Sequence, residues 1–180
     1  MTRYVALLRA VNLAGRNTVA MADLRAWIQE LGFVNPRTLL NSGNVVFEGA
    51  TQSSERLEAK LEADARKRLK IDTPFVVRTG DELRRVIARN PFLKEAATDP
   101  GHLLVVFAKA NLTPANVNAL EAAIVGRERV KGDGRHLYAV YPDGVGRSKL
   151  TAALIDRTLG VAGTARNWNT VQKLKEMACS

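Results

Sequence analysis

The densest set of polar groups lies in the stretch Tyr141-Pro142-Asp143-Gly144-Val145-Gly146-Arg147-Ser148-Lys149-Leu150-Thr151. Gly144 and Gly146 stand just before a helix-like run, and Arg147 and Lys149 flank Ser148. With Ser148 as the cap of that helix, free backbone N–H groups and the helix dipole would attract an anion, and the two cations would reinforce it. A second stretch, Thr164-Ala165-Arg166-Asn167-Trp168-Asn169-Thr170-Val171, brings Arg166, Asn167, Trp168 and Asn169 to another strand-to-helix junction. An arginine beside an amide can clamp a phosphate or carboxylate. Asn169 reads as the cap of the last helix, with Gln172 reaching back, and Trp168 as a buried aromatic. Arg9 and Asn12 follow the first strand in the same way, and Asn41, Ser42 and Asn44 mark a tight turn. Arg147 or Lys149 is expected to converge with Arg166 on one surface around Ser148.

Several familiar chemistries are excluded by spacing. A P-loop needs Gly-Lys-Ser/Thr, whereas the order here is Gly146-Arg147-Ser148-Lys149. Adjacent helical residues point about 100° apart, so Ser148 and Lys149 do not form a nucleophile–base pair. His102 and His136 fall at separate places in the chain, and the carboxylates form no close pair outside helix faces. No histidine-based metal site or base is expected from them, and no cofactor motif is present. The lone cysteine, Cys179, excludes an internal disulfide and fits a reducing, cytoplasmic setting. No apolar run is long enough to span a membrane, and the first residues do not read as a secretory leader.

The net charge is +9, from 27 basic and 18 acidic side chains, and it is spread along the chain without a basic tail. Such a surface suits a polyanionic partner without demanding one.

The elements that must position these residues follow from periodicity. Tyr4–Leu8 is an apolar run too short for a helix and reads as a buried central strand. Met21, Leu24, Ile28 and Leu31 have helical spacing and end at Gly32. Asn41-Ser42-Gly43-Asn44 is a turn into the strand Val45–Phe47. A helix capped by Ser53 or Ser54 carries Leu57, Leu61, Ala65 and Leu69, then Pro74–Val77 is a strand. Thr79 and Glu82 have capping-box spacing before a short helix.

After a connecting segment from Lys94 to Gly101 without strong periodicity, the pattern restarts at Leu103–Phe107. Thr113-Pro114 opens a helix, Gly132-Asp133-Gly134-Arg135 turns a hairpin, a helix runs from Ser148, and a strand Val161–Arg166 precedes the last helix. This is the ferredoxin-like βαββαβ order used twice, an α+β fold with a division into residues 1–93 and 101–180. A shift of 90 residues places Leu69 on Leu159 and Thr79 on Asn169.

The blocks Ala6–Asn12, Asn41–Phe47, Tyr141–Leu150 and Ala165–Val171 resemble, in order, the signature segments of a bacterial family, the domain of unknown function DUF 1697. The resemblance implies an α+β fold of ferredoxin-like pieces and a cytoplasmic bacterial protein, and it implies no activity. It also gives glycine where this chain has Ala10 and Ala14, which stiffens the loop after the first strand.

Two functions are compatible with the residues. One is a binding module for a phosphorylated or otherwise anionic ligand, nucleic acid included, held by Gly144, Gly146, Arg147, Ser148 and Lys149 with Arg166 to Asn169. The other is an enzyme acting on a small anionic substrate, with the same groups stabilising charge.

Overall fold

The apolar run at the N-terminus becomes the inner strand of a four-stranded sheet. The computed structural model describes residues Met1–Ser180. In it β1 (Thr2–Leu8) pairs antiparallel with both β3 (Asn44–Gly49) and β4 (Phe75–Thr79), and β2 (Val34–Leu39) lies outside β3. The order β2-β3-β1-β4 is that of a ferredoxin-like unit. Alternate residues of the sheet, Tyr4, Ala6, Leu8, Val45, Phe47, Phe75 and Val77, pack against Leu24, Trp27 and Ile28 of α1 (Met21–Glu30) and Leu57, Leu61 and Ala65 of α2 (Ser54–Arg68). Val5, Leu7, Val46, Val76 and Arg78, on the face away from the helices, are buried as well.

Polar groups finish the edge of this sheet. The backbone N–H groups of Phe75 and Val77 donate to Glu62 and Glu58 of α2, and that of Thr79 donates to Glu82. The Glu82 N–H donates back to the Thr79 hydroxyl, so the expected capping box opens α3 (Gly80–Ala88).

The pattern repeats in the second half. Here β5 (Leu103–Ala108) is flanked by β7 (His136–Val140) and β8 (Gly163–Asn167), with β6 (Arg129–Asp133) outermost, in the order β6-β7-β5-β8. The core under this sheet joins Val106, Val130, Leu137 and Ala139 to Leu120 of α5 (Pro114–Ala123) and Ile155 and Leu159 of α6 (Ala152–Leu159). The α+β class and the doubled ferredoxin-like order are therefore as the sequence predicts. The chain divides into two compact units, Met1–Arg85 with Lys173–Ser180, and Val86–Gln172.

Three local expectations are corrected. The helix after the glycine-rich stretch starts at Ala152 with Thr151 as its cap, not at Ser148, because the Thr151 hydroxyl accepts the Leu154 N–H. The last helix, α7 (Trp168–Cys179), is capped by Asn167 rather than Asn169: the Thr170 N–H donates to Asn167 Oδ1 at 3.0 Å. The segment read as a connection holds α4 (Leu93–Thr98) and a 3₁₀ turn at Pro100–His102. Helix α4 buries no residue, so it lacks the apolar periodicity by which helices are recognised.

Candidate functional site

The stretch Tyr141–Thr151 is a loop held at both ends and locked in its middle. Tyr141 is buried, and its phenol donates to the Leu150 carbonyl at 3.0 Å, closing the loop on itself. Burial pushes that phenol up to about 12. Near its start, Asp143 takes a bidentate ion pair from Arg127, which holds its carboxyl below the usual range. Both partners are exposed, so the pair fixes geometry more than it adds stability.

The two glycines play different parts. Gly144 has φ 85° and ψ 156°, a region essentially closed to side-chain-bearing residues. Gly146 has nothing within 4 Å of where a Cβ would be and negative φ, so its position needs no glycine for fit. A 3₁₀ turn over Val145–Arg147 follows, closed by the Ser148 N–H on the Val145 carbonyl at 3.2 Å.

Ser148 is extended and points inward: its hydroxyl donates to Glu128 and accepts the Leu150 N–H at 3.0 Å. Arg147 closes the 3₁₀ turn and Lys149 lies in the bend after Ser148, and neither has such an anchor. Both are exposed and neither enters an ion pair. The loop thus presents two uncommitted cations on a backbone pinned through Tyr141, Asp143 and Ser148.

The junction at the end of β8 is built differently. The sheet order brings it to the same end as the loop, since Asn167 pairs with Leu104 and Val140 with Leu103. Arg166, however, is buried on the sheet face away from the helices and donates to the Thr164 hydroxyl at 2.7 Å and the Ala165 carbonyl at 2.8 Å. Burial pushes its guanidinium down to about 10, which still leaves it charged at neutral pH. Asn167 is a helix cap, Trp168 is buried, and Asn169 is exposed without a hydrogen bond. The expected helix start at Ser148, around which Arg147, Lys149 and Arg166 were to gather, is absent.

In the first unit the predicted residues serve the scaffold. Asn12 donates to the Val19 and Asn41 carbonyls and accepts the Val19 N–H at 2.8 Å, tying the loop after β1 to the β2–β3 turn. Asn44 is fully buried and donates to the Leu39 carbonyl and the Ser42 hydroxyl. The Arg9 carbonyl accepts from Thr73, and its N–H donates to the Pro74 carbonyl. Asn41 and Ser42 lie exposed in the turn.

The model of the family described as "Protein of unknown function (DUF1697)" matches residues 1–138. The chain belongs to the DUF1697 family. A solved structure, that of conserved bacterial protein SP0830 from Streptococcus pneumoniae, is similar over 98% of both chains, with a TM-score of 0.76 and 22% identity, and it supports the fold. No curated protein matches the chain. The family match ends at Tyr138, before the glycine-rich loop begins.

One pair beside this loop involves His102, which the sequence reading sets aside as isolated, and Asp99, which it does not single out. His102 Nδ1 lies 2.9 Å from Asp99 Oδ2, and its Nε2 would stand 3.7 Å from a Cβ placed on Gly144. The signal available was Asp99-Pro100-Gly101-His102, in which proline and glycine fold a turn that brings i and i+3 together. No group of three or more His, Cys, Asp or Glu side chains is arranged to hold a metal ion. No helix is long and apolar enough to cross a membrane.

Proposed function

We propose that this protein is a binding module for an anionic, phosphate-bearing ligand, and that the loop from Asp143 to Lys149 is where the ligand docks. The observation that carries the reading is the pair Arg147 and Lys149, exposed, free of ion pairs and set on a loop whose shape is fixed by Gly144, Ser148 and the Arg127–Asp143 pair. Cations that a fold holds in place without neutralising are available to a ligand, and each charge-assisted bond contributes roughly 1.5–3 kcal/mol. Arg166 is left out of the docking set because its donors already have protein partners.

The test is calorimetric titration with pyrophosphate and with a mixed single-stranded oligonucleotide at low and moderate salt. The Arg147→Ala/Lys149→Ala double variant is expected to lose at least about tenfold in affinity with an unchanged melting temperature. Arg166→Ala is expected to show the reverse: near-native affinity and a stability loss of about 2–3 kcal/mol from the stranded Thr164 and Ala165 oxygens. Equal binding by the double variant and the native protein would remove the loop from consideration.

A further inference from the structure

Strand β6 is the outermost strand of the second sheet, and its outer edge is open. Asp133 faces His136 across a loop of two residues, Gly134 and Arg135, so these two close the hairpin with their own hydrogen bonds. Bonding alternates along an antiparallel ladder. Lys131 therefore bonds to Tyr138, and the N–H and C=O groups of Val130 and Gly132 turn outward. No other hydrogen bond engages them. The matching edge of the first sheet is blunted: β2 contains Pro36, which has no N–H, and its register slips between Val34 and Arg37. Strand β6 has neither device and keeps one register over all five residues.

A groove of about 360 Å³ lies beside this edge. One wall is a stripe of α5 at helical spacing, Pro114, Val117, Asn118 and Glu121, and the other is β6 from Val130 to Asp133. Val117 is partly buried against the core, and a Cβ on Gly132 would stand 2.8 Å from its Cγ2, so the glycine lets the helix close on the strand. Val130 and Gly132 thus face α5, whereas Arg129, Lys131 and Asp133 lie on the opposite face. There Arg129 pairs with Glu95 and Asp133 with Arg89, while Lys131 is exposed without an ion pair.

We infer that the β6 edge is a docking surface for an extended segment of a partner protein, which adds to this four-stranded sheet as a further antiparallel strand. The inference goes beyond the loop reading and does not depend on it. Outward N–H and C=O groups in a row specify an extended backbone, and antiparallel addition continues the pairing found throughout this sheet. A residue opposite Val130 or Gly132 exchanges both bonds with it and carries its side chain on the α5 face, over Val117, where an apolar group fits. Its neighbours in the segment lie beside Lys131, whose uncompensated charge selects acidic side chains. The segment therefore alternates apolar and acidic residues. A second copy of β6 fits less well, since setting Val130 against Gly132 of the copy brings the two Lys131 side chains face to face.

The probe is a short peptide of alternating valine and aspartate, acetylated and amidated at its ends, added to the full chain at up to about 1 mM. Amide hydrogen exchange followed by NMR reads the edge residue by residue. The Val130 and Gly132 amides are expected to exchange about tenfold more slowly with peptide than without, while the Lys131 amide, already in the ladder, changes little. A peptide methylated on its valine nitrogens should lose this effect, because those N–H groups are the ones that reach the edge. Lys131→Glu, a change at an exposed side chain, should bind the aspartate peptide about fivefold more weakly and prefer a valine–lysine peptide. Unchanged exchange at Val130 and Gly132 overturns the inference, and so does equal binding of the methylated peptide. Equal affinity of the native protein for the aspartate and lysine peptides overturns the acidic partner. Slowing that appears without peptide and grows with protein concentration shows the occupant to be a second copy and overturns the partner reading.

Discussion

At the residue scale, left-handed backbone is concentrated in one loop. Ala10, Asn12, Ala14 and Asn17 all have positive φ, between 46° and 55°, within the connection from β1 to α1. Asparagine tolerates this region, and Asn12 is held there by three hydrogen bonds, but an alanine Cβ meets the neighbouring carbonyl at a cost of roughly 1–2 kcal/mol. The resemblance to the family gives glycine at both alanine positions, and the backbone now supplies the reason. Ala10→Gly and Ala14→Gly are each expected to stabilise the protein by about 0.5–1 kcal/mol, after allowing for glycine's greater freedom in the unfolded chain. Urea denaturation measures this, and an unchanged or lowered midpoint for both variants would contradict it. Leu13, between them, is 62% exposed and adds no packing there, while Val11 is buried.

At the scale of elements, caps decide where the helices start. Four hydroxyls accept a backbone N–H three residues on: Ser53 for α2, Thr79 for α3, Thr113 for α5 and Thr151 for α6. The first three are legible from side-chain type, whereas for α6 the sequence points to Ser148 instead of Thr151. The start of α7 is harder, because Asn167 and Asn169 are equally good caps by type. Strand β8 settles it by running through Asn167, which leaves that side chain at the boundary and Asn169 as the second residue of the helix. Asn167→Ala should therefore cost about 1 kcal/mol, while Asn169→Ala should stay within about 0.5 kcal/mol of native. Thermal denaturation of the two variants checks the assignment, and the opposite ranking would restore Asn169 as the cap.

At the scale of the whole molecule, the sheet registers give the true alignment of the two halves. Val5 faces Val46 and Arg78, while Val105 faces Tyr138 and Arg166. The offset between equivalent residues therefore falls from 100 at the central strand to 92 at its hairpin neighbour and 88 at the edge. A fixed shift of 90 residues consequently misplaces the cap by two. Arg78 and Arg166 emerge as equivalents, both buried and each donating to the carbonyl of the preceding residue at 2.8 Å.

Burial also gives the molecule an alkaline limit. Tyr141 is raised to about 12, and desolvation raises Tyr138 too, whereas an unfolded tyrosine ionises at about 10. Between these values the unfolded chain loses protons that the native state keeps, so stability falls as pH rises through that window. Arg166 works the other way, since its guanidinium is lowered and the native state sheds that proton first. Two phenols against one guanidinium leave the fall in place. Denaturation midpoints at a series of alkaline pH values should decline, and Tyr138→Phe with Tyr141→Phe should flatten the decline. A midpoint that rises through the window would contradict this.

The sequence by itself determined the architecture. Short apolar runs, capped amphipathic helices and turn residues are local signals, and their repetition specified two ferredoxin-like halves before any contact was known. It also marked the glycine-rich loop, because Gly144, Arg147 and Lys149 are conspicuous by type. What only the tertiary structure decided is which polar residues remain free. Arg147 and Arg166 look alike in the sequence, but strand register turns Arg166 onto a buried face, where it meets Thr164, and Ser148 turns inward to Glu128 and leaves Arg147 in solvent. Asn12 was drawn into the scaffold by the turn at Asn41, distant in sequence, and His102 was brought to Gly144 by the pairing of β5 with β7. The physical reason is shared: which side chains are turned inward and which are left in solvent depends on strand register and on contacts between segments far apart in the chain, and these do not exist until the sheet closes.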